Sequence, residues 1–407
     1  MVCRVTRILA PIVLSAVAAC GPGATPEPAP TVAGPLPGDN YAIVYWTGGT
    51  IRHLDTRTGR DRPIVHGVDE VLLGEASALG DGVGIAFRRG DSTHVVAIDT
   101  DTGAVTVVHD GSGGAMHSMA WLPDGRRLGV GIQGDGNDGI KVAEAGTVRD
   151  MGCQAANRFA AWRSRSQAIV HDRLNFYAVG ASDCGTLITV SKTGKIEPQY
   201  APSGTRMAYY QNRSVTRANR PQPEIVPELW VADYDGGAVR VISDYQSRPR
   251  NSRWSPDGEH VVYEVVSRRW ANTTHLITYA VPTDDYSYIA EEKALGVPND
   301  FNACWSPDGR RIAHDRTYAR SSGQQAYATR QVVVRQGAGE RVVLDEVIGE
   351  PQSAVVAATV RCRWVGPRHL LVSTRDGQRV VNVDEGEVYA VPADHVAIGV
   401  KVFDHTR

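Results

Sequence analysis

The chain has 407 residues, of which 42% are hydrophobic and 22% are charged, so it holds enough apolar material for a large folded core. Its formal net charge of -2 at pH 7 provides no long-range attraction to nucleic acid or to an anionic membrane surface. We therefore expect a globular protein without a nucleic-acid partner.

Residues 1–19 are organised as an export signal. Arg4 and Arg7 give a positive start, and residues 8–19 form an apolar run that is too short to cross a hydrocarbon core of about 30 Å. The run ends in the letters VAAC, which resemble the lipobox of bacterial lipoproteins. This resemblance implies that Cys20 is lipidated and that the protein is extracytoplasmic, with its lipid in the bacterial cell membrane. A plain secretory signal with an incidental cysteine is the alternative.

Residues 20–39 contain the lipidated cysteine and a segment rich in Pro, Gly and Ala. Such a composition cannot pack a core, and proline favours extended conformations. We expect this segment to be a tether that joins the membrane to one folded domain at residues 40–407.

Four cysteines remain in the expected domain, and they are Cys153, Cys184, Cys304 and Cys362. An even number in an oxidising compartment predicts two disulfides. We favour the pairs Cys153–Cys184 and Cys304–Cys362 because these are closest in sequence. No CxxC pair is present and the spacings are wide, which argues against a zinc site.

A repeated turn sequence organises the domain. WSPDG occurs at 254–258 and again at 305–309, WLPDG occurs at 121–125, and each is followed by an apolar run. Together with weaker copies, the repeats start at 78, 121, 162, 200, 254, 305 and 364, and their spacing varies from 38 to 59 residues. Pro-Asp-Gly makes a tight turn between two strands, and a second hairpin such as DYDGG at 233–237 joins two more. Four antiparallel strands per unit is the period of a propeller blade.

This pattern resembles the TolB-type and WD-repeat-like propellers, whose blades carry the same aromatic-Ser-Pro-Asp-Gly turn and a later Asp-x-Asp-Gly-Gly hairpin. The resemblance covers residues 40 to about 402 and implies an all-β fold, a single β-propeller of four-stranded antiparallel blades. It implies a scaffold role for the tryptophans and turn residues. It indicates little about activity, because propellers host many unrelated functions.

The two ends of the domain are predicted to share a blade. Residues 41–45, 50–55 and 61–65 form three strands of a unit that lacks its first strand, and residues 395–403 can supply it. Closure by strands from both ends leaves no exposed edge in the ring. We favour eight blades, with seven as the alternative.

Loop length indicates a candidate surface opposite the Pro-Asp-Gly turns. Long loops between second and third strands are expected at 211–228, 267–274 and 316–330. The candidate partner-binding residues on this rim are Arg213, Arg217, Arg220, Arg268, Arg269, Trp270, Arg316, Tyr318, Arg320, Tyr327 and Arg330. Arginine and aromatic residues are enriched at binding hot spots. The alternative is a set of solvated loops in an arginine-rich protein.

Signals for catalysis are weak. No nucleophile elbow, HExxH, P-loop or dinucleotide-binding motif is present, and we expect no cofactor and no metal. His171 with Asp172, and His314 with Asp315, follow second strands and are possible acid–base groups. The sequence therefore predicts a monomeric, non-catalytic propeller that binds a protein, a peptide or a cell-envelope component such as a glycan. The alternative is a polysaccharide lyase or hydrolase with its site at the channel mouth.

Overall fold

The computed structural model describes residues 40–77, 81–111, 115–122, 126–133, 139–151, 158–162, 167–171, 176–179, 186–188, 195–216, 222–233, 239–243, 248–267, 273–289, 299–322, 325–349, 363–374, 377–386, 388–391 and 396–403. The predicted signal and tether lie outside these ranges, as do Cys153, Cys184 and Cys362. Lipidation and the disulfide pairing therefore stay predictions.

The described residues form 32 β-strands and no helix. The first seven strands are β1 (Asn40–Thr47), β2 (Thr50–Asp55), β3 (Arg60–His66), β4 (Glu70–Ala76), β5 (Gly82–Arg89), β6 (Ser92–Asp99) and β7 (Val105–His109). The next eight are β8 (Ala115–Trp121), β9 (Arg127–Gln133), β10 (Gly139–Glu144), β11 (Thr147–Asp150), β12 (Arg158–Trp162), β13 (Ala168–His171), β14 (Phe176–Val179) and β15 (Thr186–Ile188). They are followed by β16 (Lys195–Tyr200), β17 (Arg206–Val215), β18 (Glu224–Asp233), β19 (Arg240–Val241), β20 (Pro249–Trp254), β21 (His260–Ser267), β22 (Thr273–Ala280) and β23 (Asp285–Tyr288). The last nine are β24 (Asn299–Trp305), β25 (Ile312–Ser322), β26 (Gln325–Gln336), β27 (Gly339–Gly349), β28 (Arg363–Trp364), β29 (His369–Thr374), β30 (Gly377–Asn382), β31 (Val388–Ala390) and β32 (Val396–Phe403).

These strands assemble into eight four-stranded antiparallel sheets. The first sheet has the order β3-β2-β1-β32, and the second to eighth sheets each contain four consecutive strands, from β4–β7 to β28–β31. In the first sheet Asn40 pairs with Phe403, so strands from both ends of the described chain share one sheet, as predicted. The all-β class and the four-stranded antiparallel sheets are confirmed, while the number of blades stays a prediction.

The sheets contact one another in a closed cycle. From the second sheet to the eighth, the first strand of each sheet contacts the first strand of the next. These contacts run from the pair β4 and β8 to the pair β24 and β28. The cycle closes because β30 of the eighth sheet contacts β32 of the first, and β32 contacts β4 of the second. Across this inner layer Arg363 Nη2 donates to the carbonyl oxygen of Gly74 at 2.9 Å. The first strands therefore surround a common axis, which is the arrangement of blades in a propeller.

Each sheet buries both of its faces between its neighbours. On β5, Val83 and Phe87 pack against the first sheet, whereas Ala86 packs against Leu128 of the third. Residues Gly82–Phe87 are consequently buried without interruption, unlike a strand with one solvated face. Each large apolar side chain buried in this way contributes about 1.5–3 kcal/mol to folding.

The Ser-Pro-Asp-Gly turns close by the same hydrogen bonds in two successive sheets. In the sixth sheet Ser255 Oγ accepts a bond of 2.9 Å from the amide of His260, and the backbone at Gly258 has φ +73°. In the seventh, Ser306 Oγ accepts at 2.9 Å from Arg311, and Gly309 has φ +71°. Glycine is needed at this position because positive φ is strained for other residues.

The tryptophans at the ends of first strands join neighbouring sheets. Trp254 Nε1 donates to the carbonyl oxygen of Gln199 at 3.0 Å, one residue before the aromatic Tyr200 of the fifth sheet. The same bond runs from Trp364 to Cys304 at 3.2 Å, directly before Trp305. Repetition of one bond between different pairs of sheets supports the scaffold role that the repeat implies.

Two of the expected loops are instead strands. Residues 206–215 and 224–233 pair as one hairpin, and residues 312–322 pair with 325–336 up to the couple Ser322–Gln325. The loop prediction at 316–330 is wrong, and so is the part of the predicted loop at 211–228 that falls in residues 211–215 and 224–228, which are strands. Arg, Ser, Thr and Gln residues suggested solvated loops, but their backbone groups are paired along extended hairpins. The third expected loop, 267–274, is described only at its two ends.

Candidate functional site

The strand directions divide the ring into two sides. The Ser-Pro-Asp-Gly turns lie on one side, which we call the turn-side face. The links from second to third strands and from fourth strands to the next sheet lie on the other, the loop-side face. Since β1 is a second strand, Asn40 at its start lies on the turn-side face, next to the end of β32 at Phe403. The chain that precedes Asn40 therefore joins the ring on the side opposite the loop-side face.

Two sheets rise above the others on the loop-side face. Strands β17 and β18 have 10 residues and β25–β27 have 11 or 12, whereas β5 and β6 of the second sheet have 8. We call these extensions the raised hairpins. They expose apolar side chains near their ends, because Ile225 is 67% and Val347 59% accessible to solvent. On the paired strand the exposed Arg213 lies opposite Val226, on the other face of the hairpin from Ile225, and it donates to Glu228 Oε1 at 3.1 Å.

The structure separates the predicted rim residues into groups. Arg217, Arg220, Arg268, Arg269 and Trp270 lie outside the described residues. Arg213 is exposed on a raised hairpin, Tyr318 is half-buried on β25, and the backbones of Arg320 and Tyr327 pair with each other. Arg316 and Arg330 are buried, so their placement on an exposed loop is wrong.

Arg316 is held within the seventh sheet by two carboxylates. Its Nε donates to Asp300 Oδ1 at 2.7 Å, and its Nη1 donates to Glu340 Oε2 at 2.9 Å. Burial by itself raises the pKa of Asp300, but hydrogen bonds and charges from His314 and Arg316 outweigh it and hold the pKa below its usual value. His314 Nε2 lies 3.5 Å from Asp300, and both side chains are fully buried. Asp300 and His314 are therefore enclosed, and only the Glu340 end of this group reaches solvent.

Arg330 is held on the opposite face of the same sheet. It contacts Asp315 at 2.7 Å and Glu346 at 3.0 Å, and its Nη1 donates to the carbonyl oxygen of Ser373 in the eighth sheet at 2.5 Å. Burial raises the pKa of Asp315, and Arg330 and Asn302 offset only part of that effect.

A further bond links these charges to the sixth sheet. Asn302 lies at a bulge of β24 and has φ 55°. Its backbone N–H donates to Glu264 Oε1 at 2.8 Å. One sheet earlier Tyr210 Oη accepts the equivalent bond from Ser252, also at 2.8 Å. The buried carboxylate of Glu264 thus replaces a hydroxyl in binding the next sheet. We call the buried Glu264, Asp300, Asp315, Arg316 and Arg330, together with the partly exposed Glu340 and Glu346, the buried charge network. It includes Asp315 and encloses His314, so this predicted acid–base pair is not at an open site.

A cleft that the sequence analysis missed opens between the first and second sheets. It has a volume of about 630 Å³ and lies between the end of β3 and the outer strands β5–β7. Three histidines from different strands line it, together with Arg89, Asp110 and several valines, and we call it the histidine cleft. The histidines are His66, His94 and His109. They are the last residue of β3, an early residue of β6 and the last residue of β7, all toward the loop-side face. The sequence signal for this cleft was the position of these histidines at strand ends that lie on the same face of the ring.

Among the described residues, no three His, Cys, Asp or Glu side chains come together in a group that would hold a metal ion. Nor do those residues include a helix that is long and apolar enough to cross a membrane.

The chain was compared with known proteins. No protein-family model matches it. The uncharacterized peptidase YuxL of Bacillus subtilis (strain 168) is 27% identical over 135 residues, which are 33% of this chain and only 18% of the peptidase. A solved oligogalacturonate lyase from Vibrio parahaemolyticus is 10% identical, with a TM-score of 0.53 over 84% of this chain and 98% of the lyase. TolB from Acinetobacter baumannii is 14% identical, with a TM-score of 0.36 over 77% of this chain and 65% of TolB.

At these identities the structural similarities show the fold alone. The propeller fold that the resemblance to TolB-type propellers implied is confirmed by the closed cycle of four-stranded sheets and by the similarity to the lyase. The chain is therefore a β-propeller.

Proposed function

We propose that the protein is a non-catalytic, lipid-anchored propeller outside the cytoplasm, and that its loop-side face binds a protein, a peptide or a component of the cell envelope. The observation that carries this proposal is the pair of raised hairpins on the fifth and seventh sheets. They extend one face of the ring only, and that face is opposite the start of β1 at Asn40.

The position of Asn40 gives the proposed anchor a direction. A lipid on Cys20 followed by the tether would attach the ring by its turn-side face. The loop-side face would then point away from the bilayer, toward whatever the envelope presents. A partner in the envelope can reach the raised hairpins in this orientation without passing the membrane surface.

The surface chemistry of the raised hairpins supports binding. Ile225 and Val347 are exposed apolar residues near the loop-side ends of the raised hairpins, and the exposed Arg213 lies on the opposite face of its hairpin from Ile225. Exposed apolar residues and arginine are both common in protein-binding surfaces. The predicted rim residues Arg268, Arg269 and Trp270 fall in the link between β21 and β22, in the sheet between the two raised hairpins.

Site-specific crosslinking in intact cells tests this proposal. A photo-reactive amino acid replaces Ile225 on the loop-side face or, as the matched control, the exposed Glu259 on the turn-side face. We expect a discrete crosslinked species from position 225 and none from position 259. Equal crosslinking at both positions, or none at position 225, contradicts a binding role for this face.

An activity measurement tests the non-catalytic part. The solved propeller with the TM-score of 0.53 is an oligogalacturonate lyase, so oligogalacturonate is a concrete substrate to offer. We expect no unsaturated product with or without added manganese. Turnover that is abolished in a loop-side variant would show that the protein is an enzyme instead.

A further inference from the structure

The histidine cleft is separate from the raised hairpins. It lies between the first and second sheets, whereas the raised hairpins belong to the fifth and seventh. Its volume of about 630 Å³ falls within the range of about 300–1,000 Å³ that is usual for small-molecule sites. The cleft therefore has the size of a ligand site and is independent of the proposed partner surface.

One wall of the cleft is apolar and open. Val96 and Val107 pair across β6 and β7 and point toward the first sheet, where Ile64 of β3 lies opposite. Val96 is buried, but Val107 keeps 57% of its surface exposed. This wall offers an uncovered surface to an aliphatic or aromatic group.

Arg89 places a positive charge at the mouth. Its Nε donates to the carbonyl oxygen of Gly67 at 3.1 Å, its Nη2 donates to that of His66, and its guanidinium lies 5.6 Å from the centre of the Phe87 ring. These contacts fix the side chain and leave other N–H groups of the guanidinium to donate. Among the described residues no Asp or Glu forms a salt bridge with Arg89, in contrast to Arg316 and Arg330. The fixed charge can thus accept an anionic partner.

The ring of His94 stays neutral beside Arg89. It stacks on Phe87 with a centroid distance of 5.4 Å. Burial lowers the pKa of His94, and the nearby Arg89 and His109 lower it further, while Asp110 acts in the opposite direction. His66 is exposed at the mouth and His109 is buried deeper. The lowered pKa of His94 favours its neutral ring at neutral pH, so the positive charge of the cleft is that of Arg89.

From this geometry we infer that the histidine cleft binds a small carboxylate with an apolar body. The body lies against Val96 and Val107, and the carboxylate accepts hydrogen bonds from Arg89. Asp110 is the one acidic side chain that lines the cleft, and it disfavours ligands with several negative charges. A monocarboxylate is therefore the class that fits.

Binding of 4-phenylbutyrate, with its uncharged amide as the control, tests the inference by calorimetric titration of the purified protein. We expect the carboxylate to bind at least about tenfold more tightly than the amide, because a charge-assisted hydrogen bond is lost in the amide. In Arg89→Met the affinity for the carboxylate should fall to that for the amide, while the amide binds as before. Equal binding of the two compounds to the natural protein, or binding of neither, overturns the inference.

A matched pair of variants tests the location. Val107→Asp introduces a negative charge in the apolar wall, and Val347→Asp introduces the same change at a valine of similar exposure on a raised hairpin, 59% against 57%. We expect Val107→Asp to weaken carboxylate binding by about tenfold or more and Val347→Asp to leave it unchanged. The same effect from both variants would place the ligand elsewhere.

Discussion

The buried charge network and the histidine cleft use similar side chains in opposite ways. In the network each arginine is buried and contacts two carboxylates at 3.0 Å or less, one of them a buried aspartate and the other a partly exposed glutamate. In the cleft Arg89 contacts only backbone carbonyls and an aromatic ring, next to exposed apolar surface. The arginines of the network are neutralised inside the fold, whereas the charge of Arg89 has no acidic partner among the described residues and is available to a ligand.

Removing an arginine from the buried charge network should have the largest effect on the free energy of unfolding. Arg330→Met leaves Asp315 and Glu346 buried without their cation, and we expect a loss of about 3–5 kcal/mol in the free energy of unfolding. The measurement is urea denaturation. Arg88→Met is the control because the Arg88–Glu70 pair is 3.2 Å long and half exposed, and such pairs contribute about 0–1 kcal/mol. Similar losses in both variants would remove the distinction between the two regions.

Replacing Asp300 of the network should lower the free energy of unfolding by an intermediate amount that depends on pH. The folded-state pKa of Asp300 is lowered, so its ionised form stabilises the protein above the unfolded-state pKa of about 3.9, and this contribution is lost as pH falls through the folded-state value. Asp300→Asn should therefore cost about 2 kcal/mol at pH 7 and progressively less below about pH 4. The measurement is urea denaturation at a series of pH values. A difference that does not change with pH would show that Asp300 acts through packing.

Removing a tryptophan hydrogen bond between two sheets should have the smallest effect on the free energy of unfolding. A second tryptophan that lacks this bond provides the control. Trp254→Phe removes the bond to Gln199, and we expect a cost of about 1–2 kcal/mol from thermal unfolding. The buried Nε1 of Trp305 has no hydrogen-bond partner among the described residues, so Trp305→Phe should cost less. If Trp305→Phe is the more destabilising change, the stabilising role assigned to the bond is wrong.

Much of the fold follows from local sequence. In WSPDG the serine side chain and the glycine specify a turn, and the apolar runs around this sequence predict strands. The shared first sheet was predicted because residues 41–65 lack a first strand that residues 395–403 provide. These features depend on short segments or on a simple count of strands, so one sequence is sufficient to find them.

The site was harder to predict because it depends on which side chains meet. Arg316 and Arg330 look like loop residues until Asp300 and Asp315 are placed beside them in the sheet. The histidine cleft combines four strands of two sheets, and no spacing in the sequence brings His66 and His109 together. The ends of strands on one face are the general signal for such a site, but it appears only when the strand bounds are known.

The most direct test compares Arg330→Met with Arg89→Met in two assays, the free energy of unfolding and the affinity for 4-phenylbutyrate. The account predicts opposite outcomes. Arg330→Met should lose about 3–5 kcal/mol of stability and keep its affinity under conditions where it is folded. Arg89→Met should keep its stability within about 1 kcal/mol and bind the carboxylate about tenfold more weakly or worse. Loss of both properties in both variants, or loss of neither, would contradict the division between structural and binding charges.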